Sequence, residues 1–216
     1  MSDDSSYDGI RPVSEAHRFD EKALLDWMHS RIPGLQGHLQ VDMFKGGQSN
    51  PTYRLTIGER QFVMRAKPGP VAKLLPSAHA IEREFKVMQA LSHTDVPVAQ
   101  MHALCEDESV IGRAFFIMDF VQGRVLWDQS LPGLTPTERA EIYDEMNRVM
   151  SALHRVNPDS IGLSDYGRPG NYIERQIARW SKQYRASITE PIEAMDHLMD
   201  WLPTHLPDSS RLPHIS

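Results

Sequence analysis

Residues 41–67, VDMFKGGQSNPTYRLTIGERQFVMRAK, decide how the rest of the chain is read. Tyr53, Leu55 and Ile57 alternate with Thr52, Arg54 and Thr56, the period of a half-buried strand. Gly58-Glu59-Arg60 turns the chain, and Phe62-Val63-Met64-Arg65 forms a second apolar strand. That strand runs out on Arg65 and Lys67, which are two residues apart and therefore share a face. Ahead of both strands, Gly46, Gly47, Gln48, Ser49 and Asn50 form a loop. Glycines without side chains let backbone N–H groups approach a ligand closely, and the amide and hydroxyl neighbours add donors, so a loop of this kind suits phosphates. The pattern is neither GxxxxGK[ST] nor GxGxxG, and a plain β-meander with glycines in its first connection accounts for the stretch at least as well.

A glutamate downstream favours the phosphate alternative. In the helix AHAIEREFKVMQAL, which Ser77 is placed to cap, Ile81, Phe85, Met88 and Leu91 form the apolar stripe. Glu84 falls inside that arc, whereas Glu82 and Arg83 fall outside it and read as solvated. A carboxylate turned toward a core-facing surface is costly unless a cation meets it, and the nearest upstream cations are Arg65 and Lys67. The alternative is a rim glutamate whose carboxylate snorkels to water.

Composition excludes several classes. The chain of 216 residues carries a formal net charge of −6, with a sequence pI near 5.9, which gives no basic footprint for nucleic acid. Cys105 is the one cysteine, no signal-type apolar stretch opens the chain, and no apolar run reaches membrane-spanning length, so a reducing cytoplasm is the expected compartment and no membrane partner is expected. The ten histidines are scattered, without HExxH or a Cys/His pairing, and no metal site is expected.

Taken in order, residues 1–18 are polar and read as a loose, flexible leader. Asp20 caps a helix whose stripe is Leu24, Trp27, Met28 and Ile32, with Phe19 and Leu24 placed as a hydrophobic staple. VPVAQMHALC and AFFIMDF read as further strands, and the unbroken run Phe115-Phe116-Ile117-Met118 as one buried on both sides. Asp119-Phe120-Val121-Gln122-Gly123 is then a polar exit and the expected lobe boundary. After it, Thr135, Pro136 and Glu138 make a capping box ahead of the stripe Ile142, Met146, Val149, Met150, Leu153. Asn171 and Glu174 repeat the capping pattern, and a last helix runs from about Pro191 to Trp201. The expected division is a leader over 1–18, a nucleotide-binding sheet lobe over 19–121, a hinge over 122–134 and a partial helical lobe over 135–216, an α+β chain with a small antiparallel sheet.

This order of parts is that of a protein-kinase-like fold, in which ATP phosphates need a cation, the cation a carboxylate, and adenine a backbone shelf at the lobe junction. FVMRAKPG, LLPSAHAIEREFKVMQAL, DVPV, FFIMDFVQGRV, LHRVNPDSIGL and GNYIERQIARW together resemble the aminoglycoside phosphotransferase and choline kinase superfamily, most of all the phosphotransferase-like domain found fused to acyl-CoA dehydrogenases. The resemblance covers about residues 20 to 206. It implies that the loop of Gly46, Gly47, Gln48, Ser49 and Asn50 lies over the nucleotide phosphates, that Arg65 stands where many relatives have a strand lysine, with Lys67 beside it, that Glu84 is the helix partner, and that backbone groups of Asp119, Phe120 and Val121 hold adenine. It implies ATP with magnesium as the phosphoryl donor and a small hydroxyl-bearing molecule as the acceptor.

The family's catalytic loop, HGDxxxxN, does not occur in these residues. His93-Thr94-Asp95 is the one HxD, but it precedes the buried junction strand, has Pro97 in the would-be loop and offers Gln100 where asparagine is needed. Where the family places its loop, the chain reads RLPHIS and stops, as in a truncated chain. The expectation is a phosphotransferase lacking its catalytic and metal-binding residues and inactive as given, or alternatively a non-catalytic nucleotide-binding or regulatory module. An uncovered helical lobe, with Ile173, Ile177 and Trp180 partly exposed, is expected to self-associate.

Overall fold

The computed structural model describes residues 9–45, 50–68, 80–126, 128–167 and 170–206. Gly46, Gly47, Gln48, Ser49 and Ser77, all assigned roles above, lie outside the described residues. Six strands form one antiparallel sheet in the order β1-β2-β3-β4-β6-β5: β1 (Ile10–Pro12), β2 (Leu39–Phe44), β3 (Thr52–Ile57), β4 (Arg60–Ala66), β5 (Met101–Cys105) and β6 (Phe115–Asp119).

β1 falls within the stretch expected to be a loose leader, where Ile10 pairs with Phe44 and Pro12 with Asp42. It is short, largely exposed and lies at the sheet edge, where a proline without an N–H is tolerated, so it leaves no alternating signal to read. β5 starts only at Met101, five residues later than expected, and Pro97 stands in the segment that stays outside the ladder. β3 alternates as expected, with Tyr53, Leu55 and Ile57 buried and Thr52, Arg54 and Thr56 half-buried. Gly58 and Glu59 alone join it to β4. Gly58 has φ +58°, and a Cβ there would lie 2.6 Å from the Gln36 carbonyl oxygen, so the turn needs a residue without a side chain.

The sheet is packed on both faces. Helix α1 (Glu21–Arg31) contributes Leu24 and Met28 to a core with Tyr53, Leu55, Ile57, Phe62, Met64, Phe115 and Ile117. Helix α2 (Ile81–Leu91) contributes Ile81 and Phe85 to a second core with Met101, Ala114 and Phe116. β6 lies between β4 and β5, so its consecutive residues Phe115, Phe116 and Ile117 are each wholly buried, on alternate faces. The run read as doubly buried is therefore the interior strand of an antiparallel sheet.

Side-chain caps set two of the described α-helix starts. The Asp20 carboxylate accepts from the Ala23 N–H at 2.9 Å, and Phe19 closes that end by meeting Tyr53 edge-on at 5.3 Å. Helix α3 (Pro136–Arg155) carries the expected capping box, with Glu138 N–H donating to Thr135 Oγ1 at 3.3 Å and Thr135 N–H to Glu138 Oε2 at 2.8 Å. Helix α4 (Tyr172–Ser187) departs from expectation: Asn171 holds the cap position, but with φ 51° and ψ 28° it makes no side-chain cap. An extended cap residue aims its side chain at the first-turn amides, and a left-handed one does not.

The chain divides into two compact units, Met1–Val156 and Asn157–Ser216. α3 holds the expected hinge: Tyr143 Oη donates to the Gln129 carbonyl and Arg139 Nη1 to the Leu134 carbonyl, each at 2.6 Å. The second unit contains α4 and α5 (Glu193–Trp201). No described residue of α4 is buried; Ile173 and Ile177 are half-buried and Trp180 is 57 % exposed.

Candidate functional site

Register places the cations. Thr52 pairs with Arg65 and Arg65 with Phe116, so Arg65 projects from the face that carries α2. There its Nε lies 2.6 Å from Glu84 Oε2 and its Nη2 donates to Glu84 Oε1 at 3.3 Å. The carboxylate thus meets the side of the guanidinium, and Nη1 points away uncommitted among the described residues. Glu84 reaches this position because it sits in the apolar arc of α2. The pair remains accessible, at 31 % and 37 % side-chain exposure, enough for a ligand to touch the cation.

Asn50 completes the group. At 3 % exposure it is nearly inaccessible, and its Nδ2 donates to Glu84 Oε1 at 3.1 Å while its carbonyl accepts from Thr52 Oγ1 at 3.2 Å. Its side-chain Nδ2 is thus turned inward to the carboxylate. A partly buried carboxylate oxygen needs donors beyond one guanidinium, and Asn50 supplies one.

Lys67 pairs with Glu82 at 3.1 Å rather than with Glu84, and Glu82, read as solvated, is thereby tied to β4. Burial opposes ionisation of Glu82. Its own backbone N–H and the Lys67 ammonium overcome that opposition, with help from Arg83, and hold its carboxyl below the ordinary 4.5. Two rungs, Arg65–Glu84 and Lys67–Glu82, therefore join the end of β4 and the residue after it to the first turn of α2. Both glutamates also complement that helix's N-terminal dipole, where Ala80 offers no side-chain cap.

α2 packs over β5 and β6, leaving the same face of β2 and β3 with half-buried polar residues. Asp42 and Arg54 pair across them at 2.9 Å. Met43 belongs to the opposite core, so alternation puts Phe44, the last residue of β2, on this face too. Its ring lies 6.4 Å from that of Phe120 at an interplanar angle of 15°. The root of the loop and the exit of β6 thus meet through two near-parallel aromatic rings. Val121 is exposed, and Asp119 N–H donates to the Gln100 carbonyl at 2.9 Å. The Asp119 carboxylate contacts His102 Nε2 at 2.6 Å.

His93 and Asp95 lie in the turn that ends α2, both exposed, with Thr94 Oγ1 donating to the Leu91 carbonyl, so the HxD is a helix stop. Among the described residues no group of three or more His, Cys, Asp or Glu side chains is placed to hold a metal ion by itself, and no step is assigned to magnesium. No described helix is long and apolar enough to cross a membrane. Chemically, the group can bind an anion at Arg65 and a flat ring near Phe44 and Phe120. The contacts of Asn50 with Glu84, Phe44 with Phe120 and His102 with Asp119 were not legible in sequence: a polar loop end, an aromatic strand end and a strand histidine are each commonplace alone.

Residues 41–214 match the family model described as "Phosphotransferase enzyme family". The chain is 44 % identical over 202 residues to mouse acyl-CoA dehydrogenase family member 10, covering 93 % of this chain and 19 % of that protein. It is 40 % identical over 204 residues to human acyl-CoA dehydrogenase family member 11, covering 93 % of this chain and 26 % of that one. A crystal structure from Ralstonia eutropha, named for the aminoglycoside phosphotransferases, superposes with a TM-score of 0.77 at 61 % identity, over 89 % of this chain and 55 % of that one. The chain thus spans about a quarter or less of those curated relatives and about half of the solved neighbour. A six-stranded antiparallel sheet flanked by helices, the kinase-like arrangement, and a family match over most of the length lead to one conclusion: this chain belongs to the phosphotransferase enzyme family.

Proposed function

We propose that the sheet lobe binds ATP as the nucleotide-holding part of a kinase that phosphorylates a hydroxyl of a small molecule. The observation that carries this is the Asn50–Glu84–Arg65 group, because a carboxylate that orients an accessible cation beside Asn50, where the glycine-containing segment of the sequence ends, serves a phosphate better than it serves the core. In this proposal Glu84 fixes the plane of the Arg65 guanidinium, Arg65 meets a phosphate oxygen through Nη1, and the glycine loop adds backbone donors. Phe44 and Phe120 flank the base, and backbone groups of Asp119 to Val121 hydrogen-bond its edge.

Because HGDxxxxN does not occur in the 216 residues, binding without turnover is the proposed behaviour of these residues alone. The same absence favours a second reading, a non-catalytic nucleotide-binding module, for which binding is independent of magnesium. Two measurements test the proposal. ATP is expected to raise the thermal unfolding midpoint, and a coupled ADP-release assay over a panel of small hydroxyl compounds is expected to stay at background. No thermal shift at millimolar ATP contradicts the binding, and robust turnover contradicts the inactivity.

A further inference from the structure

β5 carries one residue more than β6 can match. Met101 pairs with Met118 and Ala103 with Ile117, so two steps on β5 answer one on β6, and His102 is the residue left over. The bulge also exchanges faces. Met101 packs with the α2-side core and Cys105 with the α1-side core, although residues four apart in an unbroken strand share a face.

The result is the placement of one ring. His102 meets Phe62 edge-on at 5.3 Å, and its Nε2–H donates to Asp119 Oδ1 at 2.6 Å. Asp119 lies opposite Phe62 in register, and its own N–H donates to Gln100, two residues before His102. Backbone and side chain of Asp119 are thus both held by residues 100–102, at the start of β5, immediately before Phe120 and Val121. The Asp119 side chain is 47 % exposed, so a hydrogen bond at such a surface position stabilises the fold weakly. A bulge that re-aims a side chain is better explained by what the contact fixes, namely the direction in which the chain leaves β6.

We propose that His102 is a positioning residue for base recognition: by holding Asp119 it sets the peptide groups of residues 119–121 against the hydrogen-bonding edge of a nucleobase. This rests on the nucleotide reading above, and it concerns the base and not the phosphates, which Arg65 serves from another strand.

The experiment titrates ATP and inorganic tripolyphosphate calorimetrically into the wild-type chain, His102→Ala, His102→Gln and Asp119→Ser. His102→Ala is expected to weaken ATP by about tenfold and to leave tripolyphosphate within about twofold, the loss of one charge-assisted hydrogen bond confined to the base. His102→Gln, which keeps a donor, recovers most of the ATP affinity. Asp119→Ser, at a half-exposed position that tolerates a small residue, repeats the split between ligands and decides the matter where His102→Ala does not fold. Unchanged ATP affinity in the variants, or equal losses for ATP and tripolyphosphate, overturns this inference alone. A wild-type chain that binds neither ligand overturns the nucleotide reading with it.

Discussion

Asn50 donates its side-chain amide to Glu84 at 3.1 Å, on the same carboxylate oxygen that accepts from Arg65. The end of the glycine loop and the cation of β4 are therefore coupled through one carboxylate on α2. Asn50→Ala is expected to weaken ATP binding by about threefold to tenfold, the effect of one lost hydrogen bond to a charged group. In a double-mutant cycle with Glu84→Gln the two losses combine to less than their sum, because both act through Arg65. Additive losses place Asn50 and Glu84 in separate roles.

Arg65 and Lys67 share a face but not a partner. Arg65→Ala is expected to lower ATP affinity by about tenfold or more, and Lys67→Ala by about threefold or less, the gap expected between an oriented guanidinium with a planar fork of donors and an ammonium already engaged by Glu82. Arg65→Lys recovers only part of the loss, since an ammonium cannot meet Glu84 side-on. Equal effects of the two alanine variants remove the distinction drawn between the two rungs.

The turn at Gly58 tests the packing of the sheet independently of any ligand. A side chain there meets the Gln36 carbonyl at 2.6 Å and takes a left-handed backbone. Gly58→Ala is expected to cost about 1–3 kcal/mol in chemical denaturation, with nucleotide affinity unchanged once folded. A variant as stable as the wild type shows that the turn relaxes.

Acid should loosen α2 from β4. The folded carboxyl of Glu82 titrates below 4.5, so its unfolded form binds protons first as pH falls. The stabilisation is fully present above 4.5 and is lost as pH drops through the lower folded value. The rung is partly exposed, so the effect is small. Lys67→Met is expected to flatten the acid limb of the stability profile below pH 4.5, and an unaltered limb assigns acid sensitivity elsewhere.

Much of the sheet lobe was legible because its signals are local and mutually consistent. Alternation placed β3, the wheel placed Glu84, and the uninterrupted run at Phe115 placed the interior strand. What escaped depends on partners distant in sequence. β1 exists because β2 offers an edge, Asn50 turns inward because Glu84 needs a donor, and His102 faces Asp119 because of a bulge that no periodicity announces. At Asn171 composition pointed to a side-chain cap, and the left-handed backbone that follows Gly170 withdrew it.

Exposed apolar side chains within each unit predict association. On α3, Met146 and Met150 are more than half exposed, and Trp180 on α4 is likewise. Concentration-dependent association in size-exclusion chromatography is expected, together with dye binding that falls in a Met146→Lys, Met150→Lys variant. A compact monomer that binds no hydrophobic dye contradicts this.

The most direct test of ATP binding through an oriented Arg65 is isothermal titration of ATP into the wild-type chain and into Glu84→Gln. Saturable one-to-one binding with Kd below about 1 mM is expected, weakened about tenfold by a substitution that leaves Arg65 in place but misoriented. Absence of binding by the wild type, or equal binding by both proteins, contradicts it.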